Sequence, residues 1–329
     1  MRYHCASTNR MSANWTFANI RSQAGRRVLI TGANSGIGYE AALELARRGA
    51  EIILPARTEA KADDAIARIR AQVPAAKLIP EILDLADLRS VHAFAQRVVE
   101  MYPGHTLDLL INNAGVMAVP TRELTVDGYE RQFATNYLGP FALTALLFWS
   151  MKPQPGSRIV TVASGIANFA PLDFDNLQSQ RRYKPFSQAY AQSKLADLIF
   201  QQELQRRLTT IGSPILSTGA HPGYAATNLQ ITGPGNNVPV YIRLLESIFA
   251  PLMSQDSAHG ALPTLFAATA PEATPGGYYG PSGFQELKGH PVPAKITKAA
   301  QDPALAKRLW AETERLTGVT FGALSDAPA

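Results

Sequence analysis

Short apolar runs alternate along the chain with longer stretches in which apolar residues recur every three or four positions. The run at 28–31 precedes such a stretch at 36–48, the run at 52–54 precedes 60–71, and the run at 78–83 precedes 87–101. Runs of this length bounded by helical-period segments predict βαβ units around a parallel sheet. The alternation continues through strands at 107–111 and 158–163 separated by a helix at 128–149, then a helix at 188–209, a strand at 215–220 and a short last strand at 276–280. The expectation is therefore a doubly wound α/β sheet of about seven strands with helices on both faces. One domain is expected over 25–329, with no internal repeat and no linker. Two segments stand outside the pattern. A polar insertion covers 168–185, and 230–256 opens with Thr232-Gly233-Pro234-Gly235-Asn236-Asn237 before turning apolar; long loops inside a compact domain are usually functional or disordered.

Residues 1–24 are polar and lack a continuous apolar run, which argues against a signal peptide or a membrane span and suggests a flexible leader. Met11 is an alternative start within it. The apolar content of 46% over 329 residues supports a buried core. The net charge of +5 is spread along the chain, without a run of five basic residues, so nucleic acid is not an expected partner. Cys5 is the only cysteine, which rules out an intrachain disulfide and fits a reducing, cytoplasmic location. No histidine, cysteine or carboxylate grouping has metal-ligand spacing, so no metal is expected.

The first strand runs into Thr31-Gly32-Ala33-Asn34-Ser35-Gly36-Ile37-Gly38. Glycines here allow a sharp turn and close approach of a diphosphate, and the N-terminus of the following helix presents free N–H groups to its charge. The spacing is not G-x-G-x-x-G, and a plain strand-to-helix turn needing positive φ explains the loop as well as a cofactor cradle does. After the second strand comes Leu54-Pro55-Ala56-Arg57-Thr58, with no carboxylate to take a ribose 2′-hydroxyl. Arg57 can instead pair with a 2′-phosphate, which favours NADP(H) over NAD(H).

Tyr190-Ala191-Gln192-Ser193-Lys194 falls in a helical stretch, and a spacing of four puts Tyr190 and Lys194 on one face. A tyrosine hydroxyl titrates at about 10, so proton exchange near neutrality needs a cation beside the phenolate, and Lys194 supplies one. Taken with Asn112-Asn113-Ala114-Gly115, Asn136 and Ser164, these motifs resemble the short-chain dehydrogenase/reductase family over 25–280, with Pro222-Gly223 and Thr227 adding weight. The insertion between Ser164 and Tyr190, and the tail Leu309-Trp310-Ala311-Glu312-Thr313, are similar to the retinol-dehydrogenase-like branch.

The resemblance implies a Rossmann fold and hydride transfer between a nicotinamide and an alcohol/carbonyl pair. It implies that Tyr190 is general acid/base, that Lys194 stabilises the phenolate and holds the nicotinamide ribose, that Ser164 hydrogen-bonds the substrate oxygen, and that Asn136 positions a water. It further implies cofactor contacts from Gly32, Asn34, Ser35, Gly36, Ile37 and Gly38, from Asp84 and Leu85 beside the adenine, and from Asn113, Ala114 and Gly115 beneath. Pro222, Gly223 and Thr227 would complete them. Two residues depart from the pattern: Pro55 suggests an early end to the second strand, and Ala163 stands where many relatives carry a second serine. The apolar segment 238–249, within an expected substrate cover at 228–256, suits a hydrophobic alcohol, aldehyde or ketone, although packing on the core or on a second subunit, or a membrane-surface role, would also explain it. Association as a homodimer or homotetramer through the helices at 128–149 and 188–209 is a further implication. The alternative to turnover is a relative that binds the cofactor in a sensing or structural role; the presence of all four of Asn136, Ser164, Tyr190 and Lys194 argues against it.

Overall fold

Eight strands form one sheet in the order β3-β2-β1-β4-β5-β6-β7-β8 in a computed structural model that describes residues 14–169, 171–224 and 255–324. They are β1 (Arg27–Ile30), β2 (Glu51–Ala56), β3 (Lys77–Ile82), β4 (Leu109–Asn112), β5 (Arg158–Val162), β6 (Leu216–Ala220), β7 (Tyr278–Pro281) and β8 (Pro291–Pro293). The first seven are parallel, and β8 runs antiparallel to β7. The chain reverses its direction of travel across the sheet between β1 and β4. Open α/β sheets bind ligands at such a switch point, outside the carboxyl ends of the strands.

The central strands are apolar on both sides because helices cover both faces. On one face lie α1 (Gly36–Arg47) and α2 (Glu59–Gln72), on the other α3 (Leu88–Met101). The chain then enters α4 (Arg131–Phe133), widens into a π turn at Ala134–Leu138, and continues as α5 (Gly139–Leu147). A second π turn, Pro185–Tyr190, opens α6 (Ala191–Thr210), and α7 (Ser257–Thr269), α8 (Lys298–Gln301) and α9 (Pro303–Thr317) follow. Helices α5, α6 and α9 pack with α3 on one face, and α7 joins α1 and α2 on the other. Trp310 of α9 wedges against Phe141 of α5 and Phe200 of α6, with ring centroids 5.1 and 5.9 Å away. The two helices expected to meet a second subunit are therefore covered by the chain's own C-terminal helix.

Two expectations need correction. Pro55 does not end β2 early: pairing with β3 runs on through Pro55↔Glu81 and Ala56↔Ile82. Glu51 donates its N–H to Arg26 of the β1 side, while Ala56 accepts from Leu83 on the β3 side. Backbone groups alternate sides along a parallel strand, so the N–H that Pro55 lacks would face β1 at its last residue, where little ladder is lost. Residues 14–24 are not a loose leader, since Trp15 is buried with its ring 5.3 Å from that of Phe266 and Ile20 is buried with it. An eighth strand follows β7, its prolines tolerated because it lies at the sheet edge. Met11, Thr227, and 228–254 of the expected cover fall outside the described residues.

Candidate active site

The glycine loop joins β1 to α1 and is shaped by close packing. Gly32 and Gly36 hold φ of +69° and +56°, in the left-handed region that side chains disfavour. At Gly38 a Cβ would lie 2.5 Å from the Gly32 carbonyl oxygen and closer still to the Asn113 amide nitrogen. Thr31 ties the loop to the end of β4: its hydroxyl oxygen accepts from the N–H groups of Asn113 and Ala114, each at 3.0 Å. Asn113 Nδ2 returns a bond to the Thr31 carbonyl at 2.9 Å. Ser35 begins α1 without a side-chain cap, and the first turn carries no acidic residue. The N–H groups there are left to an anion.

Arg57 is exposed immediately beyond β2. At the end of β3, Asp84 Oδ1 accepts from the Ala86 N–H at 2.9 Å, and Leu85 is buried, its carbonyl so close to Gly139 that a Cβ there has no room. Asn34, Ile37, Arg57, Asp84, Leu85, Asn113, Ala114 and Gly115 thus gather along the carboxyl edges of β1 to β4. This edge fits a nicotinamide dinucleotide: close contacts at Gly32 and Gly38 leave no room for a Cβ, and Arg57 stands exposed just beyond β2.

The candidate catalytic residues come from the segment after β5 and from the helices beside it, and both π turns carry one of them. Such turns recur at functional sites because the extra residue turns side chains inward. Asn136, in the first, is buried; Val116 N–H donates to its Oδ1 at 2.7 Å, and its Nδ2 donates to Val116 O at 3.0 Å and to Ser193 Oγ at 2.9 Å. Ser193 Oγ in turn donates to the Tyr190 carbonyl at 2.7 Å. Tyr190 closes the second π turn, almost buried under the Phe186 ring, which stacks at 5.7 Å. Ser164 follows β5, and its Oγ accepts only a long bond, 3.4 Å, from the Ile166 N–H. The turn Gly165–Phe169 that Ser164 precedes packs against α6.

Lys194 lies one helical turn beyond Tyr190 and is buried. Its ammonium donates to the Val162 carbonyl and to Asp197 Oδ2, both at 2.9 Å. A Cβ on Gly115 would sit 3.6 Å from Lys194 Nζ and 3.2 Å from Asn136 Oδ1, so Gly115 keeps open the space these two groups border. Burial alone would favour the neutral amine, but the charges of Asp197 and Tyr190 outweigh it and leave Lys194 above its ordinary value. At the end of β6, His221 Nδ1 accepts from the Gly223 N–H at 3.3 Å and Nε2 meets Glu286 at 2.9 Å, fixing the Pro222-Gly223 turn.

Sequence reasoning found Asn136, Ser164, Tyr190 and Lys194, and the structure gathers them at one edge. It missed Asp197 and Ser193, and with them the Glu286 that braces the Pro222-Gly223 turn. Asp197 had a visible signal, a lone carboxylate inside Leu195-Ala196-Asp197-Leu198-Ile199-Phe200; a charge in such a run is buried and must be paired. Among the described residues no cluster of His, Cys, Asp or Glu could hold a metal ion, and no helix is long and apolar enough to cross a membrane.

Residues 26–233 match the sequence profile described as short chain dehydrogenase, and with the fold and site above the chain belongs to that family of oxidoreductases. Among its relatives, human retinol dehydrogenase 14 is 36% identical over 310 residues, covering 90% of this chain and 87% of that protein. Human retinol dehydrogenase 13 is 39% identical over 306 residues, covering 92% and 88%, and mouse polyprenol dehydrogenase is 37% identical over 306 residues, covering 91% and 86%. The chain therefore lies in the retinol-dehydrogenase-like branch. A crystal structure of an uncharacterized protein from Mycobacterium paratuberculosis, 38% identical, superposes with a TM-score of 0.75 over 94% of this chain and 99% of the other. A short chain dehydrogenase from Burkholderia cenocepacia in complex with NADP, 26% identical, superposes at 0.59 over 78% and 95%.

Proposed function

We propose that the chain is an NADP(H)-preferring dehydrogenase/reductase that interconverts a long apolar alcohol and its aldehyde or ketone, with Tyr190 as general acid/base. The observation that carries this reading is the convergence of Tyr190, Lys194, Asn136 and Gly115 at the carboxyl edge of the sheet, next to a glycine loop closed by backbone contact. The cofactor would be held by the N-terminus of α1, Gly32 to Gly38, Arg57, Asp84 and Asn113 to Gly115. The nicotinamide, when bound, donates or accepts the hydride.

The chain's own residues handle the proton and the charge. In carbonyl reduction the Tyr190 hydroxyl gives its proton to the substrate oxygen, and the phenolate left behind is stabilised by the Lys194 ammonium. Ser164 donates a hydrogen bond to the same substrate oxygen as negative charge builds on it. Asn136, locked to Val116 and Ser193, holds the helix that carries Tyr190 against the strand end and offers a polar wall for a water that resupplies the proton. In alcohol oxidation each transfer reverses. Phe169, Phe186 and Tyr224 are exposed aromatics on the segments that follow β5, open α6 and follow β6, and they would give a substrate an apolar surface to enter by. Relatives named for retinol and polyprenol, both long apolar alcohols, support that substrate class.

The test is NADPH and NADH oxidation against a panel of long-chain aldehydes and ketones, comparing the unmodified chain with Tyr190→Phe. The expected result is NADPH-dependent turnover lost in the variant with NADPH binding retained. Tight NADPH binding with no turnover across the panel would overturn the reading.

A further inference from the structure

Helix α6 continues past Lys194 into an apolar stretch that holds a single carboxylate, Asp197, which is 2% exposed. A charge so placed costs several kcal/mol unless it is paired with good geometry. Its partner is Lys194, three positions back on the same helix face, with Oδ2 at 2.9 Å from Nζ. The ammonium thus spends one N–H on Val162 O and one on Asp197, leaving one for the space bordered by Gly115 and Asn136.

We infer that Asp197 is a positioning residue of the reaction: its buried carboxylate fixes the Lys194 ammonium and, by its negative charge, moderates how strongly that ammonium stabilises the Tyr190 phenolate. The inference rests on the reading of Tyr190 as acid/base given above. Both partners are almost fully buried. Burial pushes the Asp197 carboxyl up to about 6 even with the ammonium against it. From the neighbouring elements, Tyr137 of the first π turn and Tyr278 of β7 also feel the Asp197 charge, and Glu286 and Tyr190 act on Tyr278 as well. The Tyr137 hydroxyl is bonded to Thr313 Oγ1 at 2.7 Å, and the Tyr278 hydroxyl is buried without a partner among the described residues. Neither supplies a compensating cation, so among the described residues Lys194 alone balances Asp197.

Asp197→Asn keeps an acceptor for Lys194 and removes the negative charge. The ammonium then acts on Tyr190 without partial cancellation, the phenolate is favoured, and alcohol oxidation should reach its plateau at lower pH. The expected displacement of the rising limb is about one pH unit, the scale of a single nearby charge. The limb would be measured with NADP+ and a long-chain primary alcohol. An ultraviolet titration of tyrosinate on the NADP+-saturated protein, taken as the difference from Tyr190→Phe, reads the same shift without turnover. Asp197→Ser, which leaves room for a water beside Lys194, gives a second reading should the Asn variant fold poorly.

Movement of both limb and titration to lower pH in either folded variant supports the inference; an unmoved profile or a move to higher pH overturns it. Failure of the underlying reading looks different. Turnover with an unchanged pH limb in Tyr190→Phe would remove Tyr190 from the chemistry whatever the Asp197 variants do.

Discussion

Alanine at Gly38 sets two effects of similar size against each other. Gly38 lies in the first turn of α1, where an alanine would favour the helix by about 1 kcal/mol over glycine. Its Cβ, however, would be 2.5 Å from Gly32 O and 2.9 Å from Gly32 C, and would press on the Asn113 amide that bonds Thr31. The added Cβ has no rotamer of its own and meets the Gly32 backbone as well as the Asn113 side chain, so an overpacking cost of about 1–3 kcal/mol applies. The clash matches or exceeds the gain, and net destabilisation stays within about 2 kcal/mol. Binding should suffer more than folding, because relief comes from moving the glycine loop away from α1. The NADPH dissociation constant should rise at least about tenfold, which corresponds to about 1.4 kcal/mol. Fluorescence titration of NADPH and a thermal melt on the same samples separate the two effects. Gly104→Ala is the control: its φ is +82° and no atom lies within 4 Å of the added Cβ. That variant should lose about 1 kcal/mol of stability from left-handed strain and no affinity. A folded Gly38→Ala protein that binds NADPH as tightly as the unmodified chain would refute the reasoning.

Arg57→Ala should erase most of the preference for NADPH over NADH, read from paired dissociation constants, while equal affinities in the unmodified protein would contradict the role given to Arg57. Trp310→Ala empties the wedge between Phe141, Phe200 and Phe321 and removes the indole over which Arg207 stacks at 4.2 Å; a loss of about 3–5 kcal/mol is expected in denaturant titration. Because α9 covers α5 and α6, sedimentation at micromolar concentration should give a monomer mass, and a dimer that survives with α9 in place would show another interface. Asp87→Ala removes the cap that accepts from the Arg89 N–H at 2.9 Å and should cost about 1 kcal/mol.

The alternation of strands and helices was legible because each central strand is a short apolar run flanked by helices with one wet face. Helix α6 shows how far that signal reaches: the sheet lies on one side and α9 on the other, so nearly every residue from Ala191 to Leu208 is buried and no amphipathic period marks its outer face. The same double cover hid α7, which carries Pro263 inside it and is buried from Gly260 to Thr269. The start and stop of α9 could have been read, since Asp302 caps it, Pro303 fills its first position and Gly318 ends it at φ +68°. Tyr190 and Lys194 share a spacing of four that is common on helix surfaces, so the family's set of motifs was needed to single them out. Asn136 and Ser164 were visible only through the family's order of motifs, because nothing local marks a buried asparagine in a π turn. Asp197 escaped because its meaning depends on Lys194 being buried, a tertiary fact.

On this mechanism the site moves hydride to a substrate carbon while Tyr190 moves the proton. Deuteride transfer from 4-deuterated NADPH to a long-chain aldehyde, followed by mass spectrometry of the alcohol, tests it most directly. The expected result is deuterium on the former carbonyl carbon with the unmodified chain and a loss of the labelled product by about a hundredfold or more in Tyr190→Phe. Labelled alcohol formed at the same rate by both proteins would contradict it.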